Sequence, residues 1–288
     1  MHFWIASGVV AELWALAPLL AFGFASDQII RLCQRLPIPV QLALPAVFGV
    51  PYLLAGTQWN RAHVIYLGLP VVIAVLLWHA KQYDPQQRGD WRDFAVLLVL
   101  GLAVDLRWLE PAWPAHLSVI SKLILLDSGL YGFLVVRRLT QVGFDLRLQK
   151  ADVGIGLREL LFFAPIGIAL GLALGFLHFH PHLTRPGSAA LTLAFTFLLI
   201  AVPEEIYFRG WMQNLLERRI GRSASLWLTA LLFGFSHFNK RATHFNWRYV
   251  LLAAIAGIFY GRAWRWNHRI AASSITHTLV DSVWSFWL

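Results

Sequence analysis

The chain has 288 residues, 58% of them apolar, and a mean hydropathy of +0.59. Soluble domains contain about 45–50% apolar residues, so this composition excludes an ordinary soluble protein and predicts a polytopic membrane protein. The formal net charge of +9 would suit a nucleic-acid partner, but the charges lie in the breaks between apolar runs, where basic loops meet an anionic membrane surface. We therefore expect the lipid bilayer, and no nucleic acid, as a partner.

Apolar runs follow one another along the chain, and each is compatible with a membrane helix of about 17–25 residues. They occupy residues 3–24, 38–58, 63–79, 93–109, 117–136, 159–180, 188–205, 224–239, 248–264 and 270–287. Because several runs are short, the predicted fold is an all-α bundle of about 8–10 transmembrane helices. The first run is long enough to span and has no basic segment before it, so we expect a retained helix and no cleavable signal peptide.

The breaks between the runs differ in charge. Taken alternately, counted together with the ends of the adjoining runs and without Arg209, one set of breaks holds sixteen Lys and Arg residues and the other holds six. This bias predicts that the first set faces the cytoplasm and that both termini lie outside if all ten runs span. With no organelle address in the sequence, we expect a multi-pass protein of a prokaryotic inner membrane, present as a monomer.

Three ionisable residues, Glu204, Glu205 and Arg209, lie within six positions at the end of one apolar run. Each ionisable side chain in a bilayer costs roughly 2.5–3.5 kcal/mol on insertion scales, so such residues are usually functional. Glu205 and Arg209 are four residues apart, share a helix face and are predicted to form an ion pair. Glu204 has no such local partner and is predicted to be the carboxylate available for chemistry.

Two more polar positions interrupt later apolar runs. His237 ends the run that starts near Ala224, and His277 and Asp281 lie inside the last run, four residues apart and therefore on one helix face. Together with Glu204, these residues lie on three predicted helices that a compact bundle could bring together around a water-filled pocket. The active site is thus expected inside the C-terminal half.

Read in order, these residues resemble the signatures of the CAAX-endopeptidase and bacteriocin-processing (CPBP) family of glutamic intramembrane proteases. The three motifs stand here as Glu204-Glu205-Ile-Tyr-Phe-Arg209, Phe233-Gly-Phe-Ser-His237 and His277-Thr-Leu-Val-Asp281. The resemblance covers roughly residues 188–288. It implies an endopeptidase, without a cofactor, that hydrolyses a peptide bond of a membrane-associated, lipidated or C-terminally anchored protein or peptide.

The resemblance also implies roles for the four site residues. Glu204 and His237 would position and deprotonate a water, while His277 and Asp281 would help to stabilise the oxyanion. Glu205 and Arg209 would support them. Because the family more often has Asn at the last position, Asp281 is expected either to be protonated or to orient His277.

Other interpretations stay open at this point. The single cysteine excludes a cysteine-rich metal site, and there is no His-Glu-x-x-His motif, but Glu204, His237 and His277 could hold zinc with an open fourth position. The same fold could also serve a non-catalytic membrane scaffold or a bacteriocin-immunity protein. Since buried Glu and His side chains also form proton relays, a proton-coupled transporter is a further alternative.

The mixed apolar and basic segment 137–158 predicts how the chain is organised. Residues 1–136 are expected to form N-terminal transmembrane helices that select substrates, and residues 137–158 to lie on the cytoplasmic membrane surface. Residues 159–288 are expected to form the protease core with the three motifs.

Overall fold

The computed structural model describes residues 2–54, 61–113, 117–179, 186–240 and 244–287, and these residues form helices and no strand. This confirms the predicted all-α fold class. The chain divides into two compact units, Met1–Thr140 and Gln141–Leu288. All three motifs lie in the second unit.

The described residues of the first unit form six α-helices. They are α1 (His2–Gln34), α2 (Ile38–Ala43), α3 (Val50–Leu54), α4 (Arg61–Tyr83), α5 (Trp91–Asp105) and α6 (Val119–Leu130), and α6 continues as a π-helix over Tyr131–Val136. The ends of α4, α5 and α6 meet at Arg137, whose fully buried guanidinium contacts Asp84 Oδ2 at 2.6 Å and Asp93 Oδ1 at 2.8 Å. Two carboxylates thus compensate the buried cation, as a charge without solvent requires.

In the second unit, the residues that the structure describes form seven α-helices. They are α7 (Lys150–Ala173), α8 (Pro186–Thr196), α9 (Val202–Glu205), α10 (Asn214–Ile220), α11 (Arg222–Phe235), α12 (Trp247–Asn267) and α13 (Ile270–Trp287). Helices α8, α9 and α10 are joined by π-helical stretches, Phe197–Ala201 and Ile206–Gln213, into one segment. The adjacent carboxylates Glu204 and Glu205 therefore stand between two π-helical stretches, an irregularity that is common at functional sites.

In the described residues, five helical segments are long and apolar enough to cross a membrane. They are Gly8–Gln34, Arg61–Tyr83, Val119–Val136, Lys150–Ala173 and Gly187–Ile220. This confirms a polytopic membrane protein. The number is below the predicted 8–10 because α5 and α11 have 15 and 14 residues, whereas a span needs about 20, and because α12 and α13 are long enough but too polar. The length and polarity of these helices therefore do not support ten spans. The prediction that both termini lie outside depended on ten spans.

Helix α7 starts inside the segment 137–158. It begins at Lys150 with a capping box between Gln149 and Asp152, so residues 150–158, for which a location on the membrane surface is predicted, are its first turns. The Asp152 carboxylate also accepts hydrogen bonds from Arg269 Nε at 3.0 Å and from Asn267 at 2.8 Å. These bonds fix the turn between α12 and α13 against the start of α7.

Helices α11 and α12 pack closely through glycine. A Cβ atom on Gly234 would lie 2.5 Å from the carbonyl oxygen of Val250, and one on Gly257 would lie 3.2 Å from Ala230. Real Cβ atoms do not approach backbone as closely as the first of these distances, so Gly234 is needed for the contact. Three residues further on, the chain reaches His237.

Candidate active site

Glu205 lies at the centre of a buried network between α9 and α13. Its Oε2 pairs with Arg209 Nε at 3.2 Å, and both side chains are fully buried, which confirms the ion pair predicted from their spacing. Its Oε1 lies 3.0 Å from His277 Nδ1. Since a carboxylate can only accept, we assign the proton to Nδ1 and the hydrogen bond as His277 donating to Glu205.

Arg209 is held by aromatic rings as well as by Glu205. Its Cζ lies 5.0 Å from the ring centroid of Phe233 and 5.7 Å from that of Tyr260, a range typical of cation–π contacts. Its Nη2 donates to the carbonyl of Gly257 at 3.2 Å. Glu205 is its carboxylate partner, so the two side chains depend on each other for burial.

Glu204 is less enclosed than Glu205 and faces two cationic or ionisable groups. Its side chain is 26% exposed, with Oε1 3.7 Å from Lys240 Nζ and Oε2 4.0 Å from His277 Nε2. Lys240 was not predicted as part of the site, because it was counted only as a loop charge. Its position three residues after His237 is the signal that could have found it.

The apolar run suggested that His237 lies inside a helix. The structure places it instead on the turn that follows α11. Its Nδ1 is 2.8 Å from the carbonyl oxygen of Phe233. The carbonyl can only accept, so we assign the Nδ1–H tautomer, which leaves Nε2 as a free acceptor. The ring packs against Tyr249 with centroids 4.8 Å apart.

Asp281 lies on the Nε2 side of His277, with Oδ2 3.6 Å from that nitrogen. The sequence left open that Asp281 orients His277. The Nδ1 atom, through which a histidine is usually oriented, is bonded to Glu205 instead. Glu205, predicted as a supporting residue, thus holds the Nδ1 side of the ring.

A cavity of about 80 Å³ is lined by His237, His277 and Asp281 of this site. A water molecule in the liquid occupies about 30 Å³, so two or more waters fit. The remaining lining is mostly apolar and comes largely from α7, α12 and α13, and includes Phe163, Gly167, Phe176, Leu252, Ala256, Val280 and Trp284. The cavity thus offers a polar end for chemistry and an apolar surface for the rest of a ligand.

The structure therefore brings Glu204 and Asp281 together around His277 Nε2 and places His237 on the cavity that His277 and Asp281 also line. In the part of the chain that the structure describes, no three His, Cys, Asp or Glu side chains are arranged to hold a metal ion. The same holds for Glu204, His237 and His277, the three residues that the sequence offered as zinc ligands.

The comparisons with known proteins agree with the motifs. Residues 186–283 match the family model described as Type II CAAX prenyl endopeptidase Rce1-like, a segment that contains every predicted site residue. The match confirms the CPBP-family resemblance for this part of the chain and supports a CAAX-type intramembrane endopeptidase in general. The comparisons with curated proteins and with solved structures give no match.

Proposed function

We propose that this protein is an intramembrane endopeptidase that hydrolyses a peptide bond of a lipidated or membrane-anchored protein or peptide through a water activated by Glu204 and His237. The observation that carries the proposal is the arrangement around His277, with Glu204 and Asp281 at 4.0 and 3.6 Å from Nε2 and Glu205 at 3.0 Å from Nδ1. Because the matching family model is described as a CAAX prenyl endopeptidase, a prenylated C-terminal peptide is the substrate class to test first.

In the proposed mechanism, Glu204 removes a proton from water while the water oxygen bonds to the scissile carbonyl carbon. The carbonyl π electrons move to oxygen and form a tetrahedral oxyanion. His237 Nε2, free because Nδ1 donates to Phe233, accepts a hydrogen bond from the same water and fixes its direction. When the carbon–nitrogen bond breaks, the leaving amine takes the proton from Glu204, so the enzyme returns to its starting state.

His277 acts as an imidazolium in this mechanism. It donates through Nδ1 to Glu205 and through Nε2 to the oxyanion, so Glu205 fixes both the orientation and the charge of the ring. A donor fixed before the reaction stabilises developing negative charge without reorganisation, which is usually the largest contribution in such a site.

The experiment uses the purified full-length protein in lipid nanodiscs with a peptide whose farnesylated cysteine is followed by three residues. A single-span membrane-anchored peptide is the second probe. Cleavage is followed by mass spectrometry in isotopically labelled water, which marks the new carboxylate. We expect Glu204→Gln and His237→Asn each to lower kcat/KM by about 10²–10⁴-fold, the usual contribution of general acid–base groups.

Glu217→Gln is the matched control, since Glu217 lies on α10 in the same helical segment and pairs with Arg265. Cleavage that persists in Glu204→Gln would contradict the mechanism. If the wild-type protein cuts neither probe, the non-catalytic scaffold becomes the better hypothesis.

The choice between a glutamic and a metal-dependent enzyme has its own test. A glutamic mechanism predicts that activity survives dialysis against EDTA and 1,10-phenanthroline. Loss of activity that added Zn²⁺ restores would instead assign Glu204, His237 and His277 as metal ligands.

For the first unit we propose a role in substrate selection within a prokaryotic cell membrane, with the protein acting as a monomer. Replacing residues 1–136 by the corresponding part of a relative is expected to change which probe is cut first. Equal preference before and after the exchange would contradict this role.

A further inference from the structure

Tyr260 on α12 is a second aromatic residue in direct contact with His277. The two rings are nearly parallel, with an interplanar angle of 15° and centroids 4.6 Å apart. Phe233 contacts the Tyr260 ring edge-on, with centroids 5.6 Å apart. The phenol is therefore held beside the imidazole by rings on two sides.

Tyr260 is a buried residue that borders the cavity. Only 2% of the residue is exposed, it lines the cavity with His277 and Asp281, and among the described residues its hydroxyl has no hydrogen-bond partner. A cavity-lining hydroxyl without a protein partner is available to a water or a ligand. Asp281, whose carboxylate Oδ2 lies 3.6 Å from His277 Nε2, lines the same cavity.

We propose that the Tyr260 hydroxyl is a second oxyanion donor, hydrogen-bonding the tetrahedral intermediate beside His277 Nε2. This inference rests on the proposed endopeptidase function and adds a residue to it. No proton is transferred: the phenol only donates a hydrogen bond to the oxygen that gains the carbonyl electrons.

The need for such a donor follows from Asp281. In its ionised form the Asp281 carboxylate accepts hydrogen bonds and repels an oxyanion, and in that form it does not supply the donor that an amide would supply at this position. A phenol is neutral and donates. Tyr260 would therefore compensate for the carboxylate without adding charge to the buried site.

The test is Tyr260→Phe in the nanodisc assay, on whichever probe the wild-type protein cuts. The substitution removes one oxygen and keeps the ring that stacks on His277. We expect kcat to fall by about 100-fold, the loss typical of one oxyanion donor, with KM unchanged. Tyr207→Phe is the matched control, because Tyr207 packs against Phe208 and Trp211 and is not among the residues that line the cavity.

A second measurement separates catalysis from packing. A peptidyl trifluoromethyl ketone forms a tetrahedral hydrate, so its affinity should fall in Tyr260→Phe by the same factor as kcat/KM, whereas affinity for an uncleavable reduced-amide peptide should not change. Unchanged kcat and inhibitor affinity, or a variant that no longer folds, would overturn the inference and leave Tyr260 a packing residue. Wild-type protein and Glu204→Gln are measured in the same assay as a test of the proposed function. If these two proteins cleave the probe equally, the proposed function is refuted, and the role of Tyr260 with it. If they differ and Tyr260→Phe behaves like wild type, only the role of Tyr260 is refuted.

Discussion

Replacing Glu205 by Gln should separate the stability of the site from its activity. Glu205 and Arg209 are both fully buried, so Glu205→Gln leaves the guanidinium with aromatic rings and the Gly257 carbonyl but no counter-charge. Breaking a buried ion pair by removing one partner costs about 3–5 kcal/mol. We expect a loss of this size in the free energy of unfolding, together with a large loss of kcat because His277 loses its charged partner.

The double variant Glu205→Gln/Arg209→Met gives the sharper result. Methionine is apolar and flexible and suits the space among Phe208, Phe233 and Tyr260, so most of the lost stability should return. Activity should not return, because the amide that replaces the Glu205 carboxylate carries no charge to stabilise a protonated His277.

Both quantities can be measured in the same micelles, the free energy of unfolding by titration with sodium dodecyl sulfate and activity by peptide cleavage. Glu217→Gln provides the control for a less buried pair. A loss below about 1 kcal/mol in Glu205→Gln, the size expected of an exposed ion pair, would refute the reasoning, as would a double variant that regains activity with stability.

Three further substitutions test other parts of the second unit. Asp281→Asn is expected to keep kcat at or above the wild-type level, because an amide can donate to the oxyanion; a tenfold or larger loss would show that the carboxylate itself is needed. Gly234→Val is expected to lower both the thermal unfolding midpoint and kcat, since a Cβ would lie 2.5 Å from the Val250 carbonyl; unchanged values would show that α11 and α12 can separate freely. Burial alone would raise the pKa of Asp145, but its hydrogen bonds to Arg147 outweigh this and lower that pKa. Its stabilising contribution is therefore full above the ordinary aspartate pKa of about 4 and is lost as the pH falls below it, so the difference in unfolding midpoint between wild type and Asp145→Asn should vanish in acid.

The parts of the site that could be predicted are those set by helix periodicity. Glu205 and Arg209, and likewise His277 and Asp281, are four residues apart, and both pairs meet at 3.2 and 3.6 Å as a shared helix face requires. The apolar composition was sufficient to predict a helical membrane protein. The motif resemblance then selected the C-terminal half, which the family match also covers.

The parts that could not be predicted depend on contacts between distant segments. The bond from His277 to Glu205 joins residues 72 positions apart, and no local spacing encodes it. Lys240 reaches Glu204 from the non-helical stretch that follows α11, and Tyr260 stacks on His277 from α12. Helix α7 begins at Lys150 because Gln149 and Asp152 form a capping box there. In the sequence, the mixed basic and apolar residues of this stretch indicated a surface segment.

The charges of the assembled site explain why one histidine is surrounded by three carboxylates. Glu204, Glu205 and Asp281 lie within 4.0 Å of the His277 ring nitrogens, while Arg209 and Lys240 provide two positive charges. With a neutral His277 this group of six side chains carries one negative charge, and with an imidazolium it carries none. Net charge in apolar surroundings is costly, so one proton belongs to the cluster. In the proposed mechanism, hydrolysis needs such a proton as a hydrogen-bond donor to the oxyanion while Glu204 accepts another from water. The charge balance of the buried cluster would then serve both steps.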